Sequence, residues 1–347
     1  MDKIWWEQLN SPSRFIRDAA EKLSGGKSVI MCLPRHIPWA RTMREVLEKR
    51  LRRSGTLSLK FVDAENISDK PPEFVFKEFC EDKNRFRPAR KSAHAKFMAE
   101  REGISLNSSC IWIRNANAAQ VEEWLSFIID YHGFLKGRRG GVFLLEADDD
   151  LNFGGKAGVE VFSYAERISD YDSFAFNIFI AAEFGKDNHL MKQYLAELVS
   201  ALTEGDVEFG AACIKRGENF LREPAVVFEN ILSTDKFTSP KTAEDIDRAI
   251  WMTQLKLIFP LVETFRRNFI KQYADQIKNT PPFYSEPEEV EIGHLYGQFN
   301  NNQRRKFIGE LDANDLEFYR EVRNKLAHLK ILPFDELQKI FEKNSRR

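Results

Sequence analysis

The segment Arg323-Asn324-Lys325-Leu326-Ala327-His328 carries the side chains best suited to chemistry in this sequence. A histidine exchanges a proton near neutral pH with a hydroxyl or a leaving oxygen. An arginine stabilises charge developing on a phosphoryl group. The pair suits cleavage of RNA by its own 2′-OH, a transesterification that needs no metal. Leu316, Tyr319, Val322, Leu326 and Leu329 recur at spacings of three and four. That pattern predicts a helix over residues 314–329 with those side chains as its buried stripe. On such a helix Arg323 and His328 stand about 140° apart around the axis, flanking one side. Structural roles suit the same residues. Arg323 could pair with Glu263 or another carboxylate of a helical bundle, and His328 could cap carbonyls at the helix end. His294 reads as structural and not as a second catalytic histidine.

Other segments invite chemistry. Gly25-Gly26-Lys27-Ser28 looks like the end of a phosphate loop, GxxxxGK[ST], but Glu21 stands where the first glycine belongs. A helix also precedes this segment and a strand follows it, the reverse of what a phosphate cradle needs. After the first predicted strand, residues 34–41 contain no glycine and two prolines, which remove N–H donors. The third strand ends in Arg114-Asn115, where an NTPase of this layout would hold an acidic pair. The order of elements resembles an AAA+/STAND-like core with both nucleotide motifs lost, and any other three-layer α/β domain fits it equally. The departures argue against ATP hydrolysis. Glu146-Ala147-Asp148-Asp149-Asp150 could hold Mg²⁺ at a sheet edge, although a solvated, turn-forming loop is the commoner use of such a run. No metal ligand set and no cofactor are assigned. Two stretches are basic. Residues 41–53 carry Arg41, Arg44, Lys49, Arg50, Arg52 and Arg53. Residues 83–101 carry Arg85, Arg87, Arg90 and Lys91 beside Phe86 and His94. Arginines interleaved with aromatics bind phosphates and stack on bases, so these last four are the candidate nucleic-acid contacts. A solvated charged face is the alternative.

The elements that must position these residues change character along the chain. Short apolar runs at 28–33, 57–62, 110–113, 141–145 and 159–162 read as buried strands. They alternate with helical periodicity at 12–23, 39–53 and 121–131, the pattern of βαβ units and a mostly parallel sheet. From residue 172 onward only helices are expected: 174–183, 189–202, 206–221, 225–232, a long one over 246–277 that contains Pro260, then 314–329 and 333–343. Residues 234–243 read as a linker, and 280–289 as a Pro- and Glu-rich loop. The expected division is an α/β domain over 1–170, a helical extension over 171–235 and an all-α bundle over 245–347.

Composition bounds the rest. The chain has 347 residues, 29 of them Phe, and is 43% hydrophobic, which supplies at least one large core and excludes a mostly disordered chain. Its net charge of -1 averages a basic 83–101 segment with acidic patches, so it does not exclude RNA. Cys32, Cys80, Cys110 and Cys213 lie far apart with no CxxC pair, and read as buried thiols of a reducing compartment. The N-terminus lacks the apolar run of a signal peptide, and no stretch reaches the roughly 18 apolar residues of a membrane span. A cytoplasmic protein is expected.

RNxxAH near the end of a helical C-terminal block resembles the signature of HEPN domains, an arginine and a histidine separated by four to six residues, with a polar residue next to the arginine. The resemblance runs from near Asp245 to the end, and the long helix with Glu263 and Arg266-Arg267 fits the family's first helix. It implies a small helical bundle that dimerises, with Arg323 and His328 catalytic and Asn324 assisting at a two-fold interface. Many members are metal-independent ribonucleases of toxin–antitoxin, CRISPR-linked and phage-defence systems. The function implied is a prokaryotic defence or toxin-like endoribonuclease whose N-terminal domain senses or docks, with RNA or a protein of the same system as partner. A non-catalytic adaptor that uses the bundle for dimerisation or partner binding is the alternative, and a nucleotide-sensing regulator a third.

Overall fold

A computed structural model describes residues 1–80, 93–100, 105–149, 158–183, 188–234, 237–278, 284, 286–300 and 302–345. The fold divides into two compact units, Met1–Asp172 and Ser173–Arg347.

The first unit runs α1 (Asn10–Ser24), β1 (Ser28–Leu33), α2 (Ala40–Ser54), β2 (Ser58–Asp63), α3 (Pro71–Phe79), α4 (Ala93–Glu100), β3 (Ser109–Arg114), α5 (Ala118–Leu135), β4 (Val142–Asp148), β5 (Val159–Ser163) and α6 (Tyr164–Arg167). Among the described residues the strands form one parallel sheet in the order β2-β3-β4-β1-β5. The all-buried Ser-Val-Ile-Met-Cys-Leu of β1 takes an inner position, whereas β2, with only Val62 buried, is an edge. Side chains alternate between faces. Ile30, Cys32, Ile111, Ile113, Phe143 and Leu145 pack with Trp124, Phe127 and Tyr131 of α5 and with α3 and α4. The opposite face carries Trp112 and Glu146 towards α2, as their contacts below show. The helices α3 and α4 stand where the sequence offered only a charged stretch, because their short apolar spacing is diluted by lysines and glutamates.

From β1 the chain crosses to the far edge at β2 and returns through β3 and β4. β5 lies on the other side of β1. The strands that follow β1 and β4 lie on opposite sides of this adjacent pair, and in open α/β sheets the ligand crevice is usually at the C-terminal ends of such strands.

The helices that follow are α7 (Asp170–Glu183), α8 (His189–Thr203), α9 (Val207–Ile214), α10 (Glu218–Arg222), α11 (Pro224–Thr234), α12 (Ala243–Gln272), α13 (Ile292–Phe299), α14 (Asn302–Ile308), α15 (Glu310–Ala327) and α16 (Phe334–Ser345). Two expectations need correction. The helix predicted over 206–221 is two, interrupted at Gly217, whose φ of 55° only glycine adopts without strain. The segment 171–235 is not an extension separate from 245–347. Tyr194 of α8 is buried, its ring against Phe341 of α16 and its hydroxyl accepting from Gln254 of α12, and Lys256 pairs with Glu197. One compact unit contains both. Thr242 and Asp245 start α12 with a reciprocal capping box, and Pro260 lies inside that helix.

Candidate functional site

Helix α15 buries Leu316, Tyr319, Val322 and Leu326 as its spacing predicts, and Ala313 besides, but Leu329 of the predicted stripe is exposed. Tyr319 stacks on Phe265 of α12 at 4.3 Å, and the Trp251 indole N–H donates to the Leu326 carbonyl at 2.9 Å. Helix α13 lies antiparallel along another side. Tyr296 donates to Glu317 and lies 4.0 Å beneath the Arg320 guanidinium, while Glu291, the N-cap of α13, accepts from Arg323 Nη2 at 3.1 Å. Arg323 thus has a carboxylate partner, as the structural alternative anticipates, but it is Glu291. Glu263 instead takes Arg266 at 2.8 Å. The Glu291–Arg323 pair is a single contact with side chains 59% and 34% exposed. A surface pair of that kind is worth about 0–1 kcal/mol, so a phosphate can compete with it.

The helix ends before its histidine. Ala327 is the last helical residue and His328 is the C-cap, so the angle of a continuous helix does not apply. The His328 N–H donates to the Asn324 and Lys325 carbonyls, Leu329 adopts a left-handed φ of 57°, and the Lys330 N–H returns to the Lys325 carbonyl at 2.9 Å. This is a Schellman closure. The capping is done by the His328 backbone, and its imidazole is exposed while Arg323 and Asn324 are half-buried. Around α13, His294 is two residues from Tyr296 and so about 160° away, on the side opposite α15. There the Tyr284 hydroxyl bonds its Nδ1. The structure therefore brings Arg323, Asn324 and His328 to one helix end with Glu291, and turns His294 away. Nothing in the sequence marked Glu291, which lies 32 residues from its partner.

At the crevice of the first unit the loop after β1 is tied down. The buried Trp6 indole donates to the Pro38 carbonyl at 2.8 Å, and Trp39, at a φ of 44°, caps α2. Beside it, Glu146 of β4 is 7% exposed and accepts a two-pronged contact from Arg44 (2.6–3.2 Å) and the Trp112 N–H at 2.8 Å. The hydrogen bond to Glu146 raises the Arg44 pKa. Glu146, read as part of an acidic loop, is thus a buried structural acceptor. Asp149 is committed too: its carboxylate accepts from Ser163 Oγ and the Ala165 N–H. Among the described residues no group of His, Cys, Asp and Glu is placed to hold a metal. Asp150 lies outside the described residues, as do Arg85, Arg87, Arg90 and Lys91. In the first basic stretch Arg41 and Arg52 pair with Glu45 and Glu48 one turn away.

Ser28 Oγ lies 2.6 Å from His132 Nε2, a geometry that superficially suits a nucleophile and base. Ser28 is buried at the N-terminal end of β1, and its Oγ accepts the Phe143 N–H at 2.9 Å. Burial pushes the His132 pKa down to about 4. The pair is a neutral structural bridge. The cysteines are free and buried, and burial raises Cys110 and Cys213 to about 12, which leaves them inert as nucleophiles.

No family model and no curated protein matches this chain. Among solved structures, a point mutant of Thermotoga maritima RuvB is similar, with 11% identity over 85% of this chain and 84% of that one and a TM-score of 0.34. The fold itself defines a parallel-sheet α/β unit followed by a helical unit. Among the described residues no helix is long and apolar enough to cross a membrane.

Proposed function

We propose that the protein is a metal-independent endoribonuclease of the HEPN type, acting in a prokaryotic defence or toxin-like setting, with Arg323, Asn324 and His328 as its working residues. What supports the reading is the exposed His328 imidazole held by the helix closure just beyond Arg323. In the reaction the 2′-oxygen attacks the adjacent phosphorus as its proton passes to a base. The P–O5′ bond breaks and the 5′-oxygen takes a proton from an acid, leaving a 2′,3′-cyclic phosphate and a 5′-hydroxyl. Arg323, released from Glu291, neutralises charge on the phosphoryl oxygens, and Asn324 orients them. One histidine supplies one of the two proton transfers, so a homodimer that contributes two Arg–His pairs completes the pair of base and acid.

The test is cleavage of structured and single-stranded RNA in EDTA. Wild type is expected to cut and to leave cyclic-phosphate ends. His328→Ala is expected to lose about 10²-fold or more in rate, the usual contribution of a general acid or base, with a comparable loss for Arg323→Ala. Equal behaviour of wild type and both variants, in the tube and in cellular toxicity, sinks the reading.

A second reading, a non-catalytic adaptor, draws on exposed apolar side chains of the same unit. Leu329, beside His328, is 70% exposed, Leu311 83% and Phe307 67%. It predicts self-association or partner binding that survives His328→Ala and is lost in Leu311→Lys, without RNA cleavage.

A further inference from the structure

The crevice arginine Arg44 is consumed by Glu146, but a second arginine on the same face of the sheet is not. Arg114 closes β3, one residue beyond the Ile113↔Leu145 pair and hence beside Glu146. Its neighbour on β2 in the sheet register is Asp63, yet the Asp63 carboxylate is taken by amides, Asn115 Nδ2 at 3.1 Å and Asn66 Nδ2 at 3.0 Å. Among the described residues Arg114 has no ion pair, and its Nε is buried without a hydrogen-bond partner. A buried donor without a protein acceptor is costly, so an acceptor brought by a ligand gains from meeting Arg114.

What accompanies Arg114 is an aromatic surface. The guanidinium carbon lies 5.3 Å from the ring centre of Phe61, and Phe61 packs against Trp112 at 5.6 Å with 38° between the rings. Phe61 sits on the edge strand β2 and is 42% exposed, so part of its ring faces solvent beside the Arg114 guanidinium. The indole N–H of Trp112 is tied to Glu146, which holds the platform rigid. Asn115, at a left-handed φ of 57°, and the Asp63–Asn66 turn border it with amides that donate and accept. A planar apolar surface, a guanidinium and amide groups together recognise a planar heteroaromatic ring joined to an anion.

We propose that Phe61 and Arg114 form a nucleotide-binding platform at the C-terminal end of the β2 edge, with a nucleobase stacked on Phe61 and a phosphate on Arg114. Stacking is tolerant of base identity because every base offers a π-face, and the guanidinium forks onto phosphate oxygens. A nucleotide of an RNA strand and a free mononucleotide share this chemistry.

Two probes separate them: a short fluorescein-labelled 2′-O-methyl RNA, read by anisotropy, and AMP, read by calorimetry. The modified RNA lacks the nucleophile for self-cleavage, so the result is independent of whether His328 cuts. Saturable binding by the full-length protein is expected, weakened about 10-fold in Phe61→Leu, which keeps apolar bulk and loses the π-face, and retained in Phe61→Trp. Arg114→Gln is expected to weaken it by a similar factor, with only partial recovery in Arg114→Lys, which lacks the planar fork. Binding of the oligonucleotide alone assigns an RNA strand, and binding of AMP with the same sensitivities assigns a free nucleotide. Absence of saturable binding of both probes, or unchanged affinity in Phe61→Leu and Arg114→Gln, overturns the proposal. Thermal melts confirm that each variant is folded.

Discussion

Histidine stands in opposite surroundings at two places in this chain. His328 is exposed at a helix end, whereas His132 is buried against Ser28 and kept neutral. An unfolded His132 titrates near 6.5 and the folded one at about 4. Between those values the unfolded chain binds the proton and the folded chain does not. The contribution to stability is therefore complete above about pH 6.5 and is lost as the pH falls towards 4, by up to about 3 kcal/mol. Urea denaturation at pH 7.5, 6 and 5 should show that decline, and His132→Gln should flatten it in that window. A wild-type curve as flat as the variant's would refute the assignment. Ser28 and His132 are 104 residues apart, so the pair was not legible as a unit in the sequence. The Arg–Asn–His constellation was legible because one helical segment carries all of it.

At the scale of elements, the periodicity of α15 located its buried face, while the last turn departed from the prediction. Leu329 continues the apolar spacing, yet it takes the left-handed position that closes the helix and is left 70% exposed. A hydrophobic pattern has no means of registering that the Lys330 N–H folds back onto the Lys325 carbonyl. Left-handed backbone costs a non-glycine residue about 1–2 kcal/mol, so Leu329→Gly should stabilise the protein by about 1 kcal/mol. Chemical denaturation measures that directly. If Leu329→Gly is instead destabilising, the closure does not fix His328 in the way described.

At the scale of the whole molecule, residues 173–347 form one unit although a polar stretch over 234–243 reads as a boundary. Such a stretch signals local solvation, and it does not show whether the helices on either side share a core. Tyr194, 1% exposed, ties α8 to Gln254 of α12 and Phe341 of α16. Tyr194→Ala should cost about 3–5 kcal/mol. Hydrogen exchange in that variant should accelerate in α12 and α16 as well as in α8, and an effect confined to α8 would show that the segments are independent.

The sequence alone determined the class of each long element, the alternation that makes the first unit a parallel α/β sheet, and the single segment bearing Arg323, Asn324 and His328. These are set by local periodicity and by side chains a few positions apart. The tertiary structure alone decided that β1 lies between β4 and β5, that Glu146 is the buried partner of Arg44 and Trp112, that Glu291 holds Arg323, and that Arg114 lies over Phe61. Each of these joins residues distant in the chain. Such contacts arise only when buried charge and hydrogen-bonding groups must find partners inside a packed fold.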